Sequence, residues 1–240
     1  MNREKYLPIA MTILLFGSAV LLAPAQDNTI LTLADRYSTA LKRFEARKGH
    51  LSLETVVHMG KAVNEKIDEI ESLSGANYSL LLKKMKGFTV NREEILFIEP
   101  KAEFFIRLAQ THGTRSDLTF FTLLHQIKPG NVWRVYIAPQ TDVTGCTIYG
   151  SGVLTKLYGK ALRFKKTYPR AFTADINDEI DEIIQQFSEG GCSCGSRSGV
   201  VREFQLFIRT FPRDKHTPKV KEALKTFIDR GDFRFNCHSG

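Results

Sequence analysis

The chain has 240 residues, of which 42% are hydrophobic and 25% charged, and its formal net charge is +8. A chain of this length and apolar content can bury a core of its own, which excludes a disordered polymer and a miniature fold that depends on metal ions to form. Its basic residues are dispersed and form no run of the kind that binds nucleic acid, so we expect no nucleic-acid partner.

Residues 1–25 have the layout of a secretory signal peptide. Two basic residues precede an apolar run from Tyr6 to Leu22, and Ala23-Pro24-Ala25 is a small-x-small cleavage site. We expect cleavage near Ala25-Gln26 and a mature protein that is periplasmic or secreted. An uncleaved segment is the alternative, and it would be the one predicted contact with the membrane, because the run approaches the ~20 residues that span a bilayer.

Residues 26–130 are predicted to form an N-terminal helical part. Apolar side chains recur every three or four positions from Thr29 to Phe44 and again from Val56 to Leu73, a spacing that places them on one face of a helix. Asn91, followed three residues later by Glu94, is typical of a helix start. Further helical segments are therefore predicted at 78–85, 95–98, 102–109 and 116–127.

Residues 131–150 have no helical period and are predicted to form an ordered loop. The segment at about 132–149 is rich in β-branched and aromatic residues, so we expect it to be irregular, with room for a short β-hairpin. Hydrogen-bonding side chains beside aromatic rings suit recognition of a partner. The candidate binding residues are Trp133, Tyr136, Gln140, Thr141, Asp142 and Tyr149. The alternative is that the three polar ones form Asx or Ser/Thr turns, or cap helices, and serve the fold.

Residues 151–240 are predicted to form two repeated helical hairpins. Tyr168-Pro169 and Phe211-Pro212 stand 43 positions apart, and the apolar residues before each pair match at the same offset. Proline cannot continue a helix and restricts the residue before it, so each unit is predicted as helix, corner, helix. The spacing from Ala161 to Pro169 is similar to that of tetratricopeptide repeats, whose unit is shorter at about 34 residues, and we assign no family. The predicted fold class is all-α, with helical hairpins packed into one domain or array.

The four cysteines are Cys146, Cys192, Cys194 and Cys237, and an even number in an exported chain predicts structural disulfides. A bond between Cys192 and Cys194 would close a strained small ring, which leaves two long-range pairings. Because Cys146 and Cys192 flank the first hairpin while Cys194 and Cys237 flank the second, the pattern favours these two pairs, and the crossed pairing stays open. Each bond would staple the open end of one hairpin.

Two other interpretations of the cysteines stay open. Thiolates and imidazole bind copper(I) or zinc, so Cys192, Cys194, Cys237 and His238 could form a soft metal site, and the C-x-C pair could act as a redox pair. A C-x-C motif alone is not specific for either role, and a redox pair is more often C-x-x-C. We therefore predict no metal ligand and no cofactor.

The sequence contains no zinc-binding histidine motif, nucleophile elbow or glycine-rich phosphate loop. We therefore assign no catalytic residue and expect a binding protein, whose partner is an envelope protein or an anionic envelope polymer. One enzymatic alternative is a cell-wall hydrolase, which requires a partly buried carboxylic acid such as Glu71. Glu65, Asp68, Glu69 and Glu71 more simply form the solvated face of a helix.

Overall fold

The structure is a computed structural model that describes residues 29–93, 95–130, 133–141, 144–189, 192–230 and 234–235. The predicted signal peptide lies outside these residues, as do Glu94, Asp142, Cys237 and His238. Within the described residues, no helix is both long and apolar enough to cross a membrane.

The described part of the chain is mostly helical, as predicted. Its ten α-helices are α1 (Thr29–Glu45), α2 (Leu53–Lys61), α3 (Glu69–Ser72), α4 (Gly75–Lys84), α5 (Ala102–His112), α6 (Arg115–Ile127), α7 (Val153–Thr167), α8 (Thr173–Ser188), α9 (Arg197–Thr210) and α10 (Thr217–Arg230), and a 3-10 turn, Ala62–Lys66, follows α2. Four helices begin after a serine or threonine whose hydroxyl accepts a backbone N–H of the first turn, namely Ser52, Ser74, Thr114 and Ser196. These N-caps satisfy donors that have no partner within the helix.

Two small sheets accompany the helices, so the fold is not purely all-α. β1 (Phe88–Asn91) and β2 (Phe97–Pro100) form an antiparallel hairpin. The second sheet has the strand order β3 (Ile137–Pro139), β4 (Gly145–Ile148), β5 (Cys192–Cys194) and β6 (Arg234–Phe235). β3 and β4 are antiparallel and form the short hairpin expected within 132–149, whereas β4, β5 and β6 are parallel.

The helix predicted at 95–98 is wrong, because this segment leads into β2. Asn91 does not begin a helix; its side-chain amide instead donates to the carbonyl of Ile95 across the hairpin turn, at 2.9 Å. Phe88 and Ile98 are buried, whereas Val90 and Glu99 are partly exposed. Both segments are rich in aromatic and β-branched residues, which favour strands, and they pack on the core as a hairpin.

The predicted repeat is present as two units of strand, helix and helix. β4 leads into α7 and α8, β5 leads into α9 and α10, and the predicted corners at Tyr168-Pro169 and Phe211-Pro212 lie between the paired helices. β5, which the sequence did not indicate, is parallel to β4, and Thr147 lies opposite Ser193. A strand at the start of each unit therefore joins neighbouring units through backbone hydrogen bonds.

A continuous cluster of buried apolar side chains extends from α1 to α10. Within it, Phe120 of α6 stacks on Phe172 at the N-cap of α8, with ring centroids 3.9 Å apart. Phe120 also contacts Phe164 of α7, and Phe121 stacks on Phe105 of α5. This aromatic packing fixes the position of α6 against α7.

Glu203 of α9 is fully buried and holds the start of α7. Its Oε2 accepts the backbone N–H groups of Gly150 and Gly152 at 3.0 and 2.7 Å, and its Oε1 accepts the N–H and the hydroxyl of Thr155 at 3.2 and 2.9 Å. Gly152 has a φ of +76°, a conformation that favours glycine. Because four donors near a helix N-terminus satisfy the carboxylate, the buried charge joins the two repeat units.

Candidate functional site

A groove of about 410 Å³ lies between α6 and α7. The two helices pack side by side, and Lys160 in the middle of α7 donates to Gln126 near the end of α6. The floor of the groove is apolar and consists of Leu118, Leu123, Phe164 and Tyr168. Leu123 and Phe164 are buried, whereas Leu118 and Tyr168 are partly exposed.

Three cations surround this floor: Arg115 at the start of α6, and Lys160 and Arg163 on α7. Both arginines are exposed, and Lys160 is partly exposed. None of the three forms an ion pair with a described residue, and no described carboxylate lines the groove. The groove therefore holds three positive charges that the fold does not neutralise, and its local potential attracts anions.

Three threonine hydroxyls line the same groove, and each already donates its proton. Thr119, Thr122 and Thr167 donate to the carbonyl four residues earlier in their own helices, at 2.7, 2.7 and 2.8 Å. Their oxygens can still accept a hydrogen bond from outside the protein. The groove thus offers cations to an anionic group, acceptors to a hydroxyl, and the partly exposed ring of Tyr168 to an apolar surface.

A second cleft, of about 460 Å³, adjoins the groove at Tyr168. It lies where the start of α2, the turn between α5 and α6, and the corner between α7 and α8 meet. Its lining includes Arg170 and His112, and also the carboxylates Glu54 and Asp117. The cleft is therefore mixed in charge, unlike the groove.

Two of the predicted binding residues belong to the core. Tyr136 is fully buried, and Tyr149 is 8% exposed. Burial raises the pKa of both phenols, and the hydroxyl of Tyr149 donates to the backbone carbonyl of Gln186 in α8. These rings hold the loop to the core and are not presented to a partner in this structure.

Of the other predicted binding residues, the three that the structure describes lie in the same loop and do not line the groove. Thr141 is exposed, and its hydroxyl oxygen accepts the backbone N–H of Thr144 at 3.0 Å, as in the Ser/Thr turn of the alternative interpretation. Gln140 and Trp133 are partly exposed. Asp142 lies outside the described residues.

Cys146 forms a disulfide bond with Cys194, and their Cα atoms are 5.1 Å apart. The favoured pairing of Cys146 with Cys192 is therefore wrong. Side chains alternate between the two faces of a strand, so Cys192 and Cys194 lie on the opposite face of β5 from Ser193, which is fully buried. Cys192 is also disulfide-bonded. The bond between Cys146 and Cys194 joins β4, which precedes α7, to β5, which follows α8, and so closes the open end of this hairpin.

Two alternatives from the sequence, a metal or redox role for the C-x-C motif and a cell-wall hydrolase that uses Glu71, find little support in the positions of these residues. Both sulfurs of the C-x-C motif are oxidised in this structure, so a metal or redox role there would require their prior reduction. Glu71 is exposed on α3 and lines neither the groove nor the cleft. An exposed carboxylate lacks the apolar surroundings that keep a glycosidase acid protonated.

No family model matches the chain, and comparisons with curated proteins and with solved structures give no match. The candidate site therefore depends on the groove itself, which sequence reasoning missed. Its signal in the sequence is two polar stripes at helical spacing, Arg115, Thr119, Thr122 and Gln126 on α6 and Lys160, Arg163 and Thr167 on α7. The stripes form a site only because packing places the two helices side by side.

Proposed function

We propose that this protein binds an anionic polysaccharide through the groove between α6 and α7. The observation that carries the proposal is the set of three unpaired cations around an apolar floor, with no described carboxylate in the lining. A neutral ligand gains little from these charges, whereas an anionic one neutralises them. The predicted export signal agrees with an anionic polymer of the cell envelope as the natural ligand.

The threonine oxygens favour a ligand that carries hydroxyl groups. Because Thr119, Thr122 and Thr167 use their protons within the helices, they can only accept from a ligand. A sugar chain supplies hydroxyl donors next to its anionic groups, whereas the acidic side chains of a protein supply acceptors only. The ring of Tyr168 suits the apolar face of a sugar ring. These features support a polysaccharide over an acidic protein surface.

The energetics favour a repeating ligand. Phe120 packs on both Phe164 and Phe172, so the groove is pre-organised and binding has to order only the side chains at its rim. Each exposed pair of cation and anion contributes at most about 1 kcal/mol, and salt weakens it. One sugar unit should therefore bind weakly. A polymer gains affinity because its repeated charges keep the local concentration of ligand high.

The test is calorimetric titration of the purified chain with polygalacturonate, which is carboxylated, with heparin, which is sulfated, and with neutral dextran. We expect the chain to bind at least one of the two anionic polymers, to bind it less tightly as salt is added, and not to bind dextran. Binding of neither anionic polymer at low salt, or equal binding of dextran, would contradict the proposal.

A matched pair of variants separates the groove from the net charge. The first carries Arg115→Gln, Lys160→Gln and Arg163→Gln. The second carries Arg202→Gln, Arg209→Gln and Lys221→Gln, at exposed positions of α9 and α10. We expect the groove variant to lose affinity about tenfold, because three weak charge pairs are removed, and the second variant to lose much less. Equal losses would mean that net charge alone attracts the polymer, and would overturn the assignment of the groove.

A further inference from the structure

Three side chains of metal-binding type converge where α2 meets α8. Glu54 and His58 are four residues apart on α2 and share one face of that helix, and Asp175 lies in the first turn of α8. One ligand atom from each lies within 4.8 Å of the others. The Nε2 atom of His58 is 2.8 Å from the Oδ2 atom of Asp175, although the two residues are 117 positions apart.

The donor set is one that a divalent transition-metal ion prefers. An imidazole nitrogen and carboxylate oxygens bind Zn²⁺ at about 2.0–2.2 Å, so ligand atoms around the ion lie about 3.0–3.5 Å apart. The side chains of His58 and Asp175 are 44% and 6% exposed, and Glu54 is partly exposed. Asp175 is therefore held in place, while Glu54 and His58 on α2 have the freedom to shift until the three ligand atoms reach these separations. His58 would give up its 2.8 Å contact with Asp175 and move slightly outward to make room for the ion.

We propose that Glu54, His58 and Asp175 bind a divalent transition-metal ion such as Zn²⁺ between α2 and α8. The ion connects the N-terminal helices to the first repeat unit and stabilises the folded chain by mass action. Three protein ligands leave one position free in a tetrahedral site. Glu54 also lines the cleft that adjoins the groove at Tyr168, so the proposed site lies beside this cleft.

Lys61 contacts the other oxygen of Asp175, Oδ1, and leaves Oδ2 to face His58. Burial opposes the charged form of Asp175, but Lys61 and His58 outweigh this effect and hold the pKa of its carboxyl below the usual range. Lys61 thus orients the carboxylate, as the outer partners of metal ligands do. Its positive charge also repels a bound ion, and this repulsion gives the site a testable signature.

The first experiment measures metal binding by the full chain, treated with a chelator and kept oxidised so that thiols do not compete. Zn²⁺ is titrated by calorimetry and Co²⁺ by visible absorption, and we expect one ion per chain. Glu54→Gln and His58→Ala alter side chains that are not buried, so both variants should fold, and each should bind Zn²⁺ at least about tenfold more weakly. His50→Ala removes an exposed histidine outside the cluster and should leave the affinity unchanged.

A fourth variant, Lys61→Gln, distinguishes this site from adventitious binding at a surface histidine. Glutamine can still donate to Asp175 but no longer repels the ion, so we expect binding to become about tenfold tighter. Unchanged or weaker Zn²⁺ binding by Lys61→Gln would contradict a site in which Lys61 lies next to the ion. No Zn²⁺ binding by the wild-type chain, or unchanged affinity in both Glu54→Gln and His58→Ala, would overturn the proposal. Polysaccharide binding is measured without metal, so these results leave the proposed function untouched.

Discussion

The α7–α8 hairpin contacts α6 at one junction, which we call the α6 junction, and α9 and α10 at another, which we call the repeat junction. The two junctions differ in whether their polar side chains have partners within the chain. At the repeat junction, the side chains of Glu203 and Tyr158 are paired within the chain: Glu203 accepts four hydrogen bonds from the start of α7, and Tyr158 donates to Asp214 at 2.6 Å. At the α6 junction, the three groove cations have no ion-pair partner among the described residues.

The difference follows from burial. A buried polar group without a partner costs about 1–3 kcal/mol, so Glu203 and Tyr158 gain stability from the partners that the chain supplies to them. Exposed cations are solvated and can remain unpaired at little cost. Substitutions at the repeat junction should therefore lower the stability of the fold, whereas substitutions in the groove should lower affinity and leave stability unchanged.

The largest loss of stability is expected when the disulfide at the repeat junction is removed. Cys146 and Cys194 are 48 residues apart, so their bond reduces the conformational entropy of the unfolded chain and should stabilise the fold by about 4 kcal/mol. The double variant Cys146→Ser, Cys194→Ser should lose this amount in urea unfolding under oxidising conditions. Its polysaccharide affinity should stay that of the wild type. A loss of less than about 1 kcal/mol would show that the repeat units stay together without the bond.

The second-largest loss of stability is expected from the substitution Glu203→Gln. Glutamine offers one acceptor atom where the carboxylate offers two, so either the amides of Gly150 and Gly152 or the donors of Thr155 would face an NH₂ group. We expect the free energy of unfolding to fall by about 3 kcal/mol. Glu222→Gln, at an exposed position of α10, is the matched control and should change it by less than about 0.5 kcal/mol. Similar changes in the free energy of unfolding for both variants would mean that the hydrogen bonds of Glu203 do not stabilise the repeat junction.

The helices of the repeat could be predicted because their signals are local. Apolar periodicity, and the proline after Tyr168 and after Phe211, depend only on neighbouring residues. β5 could not be predicted in this way, since Cys192–Cys194 forms a strand between β4 and β6, which lie far from it in sequence. The favoured cysteine pairing was wrong for a related reason. Cys192 and Cys194 share one face of β5, so the way β5 lies against β4, which the sequence does not show, decides which of the two sulfurs reaches Cys146.

The groove could not be predicted because it depends on tertiary packing. Arg115 and Arg163 are 48 positions apart, and no sequence period relates α6 to α7. The core positions of Tyr136 and Tyr149 were equally hidden, since aromatic rings in an irregular segment suit both recognition and burial. Packing decides between these two uses.

Glu203 did leave a signal that could have been used. It lies on the apolar stripe of α9, beside buried Val200, Phe204 and Phe207. A carboxylate at such a position has to be buried and therefore paired, because burying an unpaired charge is too costly. The sequence does not reveal its partners, which come from the turn before α7 and from α7 itself.

A smaller effect on stability is expected from His216, which lies between α9 and α10. Its Nε2 atom is buried and has no hydrogen-bond partner among the described residues. Burial lowers the pKa of His216 below its ordinary value, and the charges of Lys215 and Lys219 add to this, while Asp214 and Asp181 oppose it. The folded protein therefore binds this proton less readily than the unfolded chain does.

The sign of the pH dependence follows from that difference. The stability contributed by neutral His216 is fully present above the unfolded pKa of about 6.5, and it is lost as the pH falls through this value toward the lower pKa of the folded state. Urea unfolding between about pH 7 and pH 5 should show a decrease that is smaller in His216→Gln. His50→Gln, at an exposed position, should retain the wild-type decrease. Identical decreases in wild type and His216→Gln would contradict the assignment.

The smallest effect on stability is expected in the groove. Replacing Arg115, Lys160 and Arg163 with glutamine removes three like charges and breaks no ion pair of the described chain. The free energy of unfolding should therefore change by less than about 0.5 kcal/mol, and any change should be an increase. Urea unfolding and polysaccharide titration of one preparation measure both quantities together. A loss of stability comparable to that of Glu203→Gln would mean that the cations serve the fold, and that the two junctions do not differ.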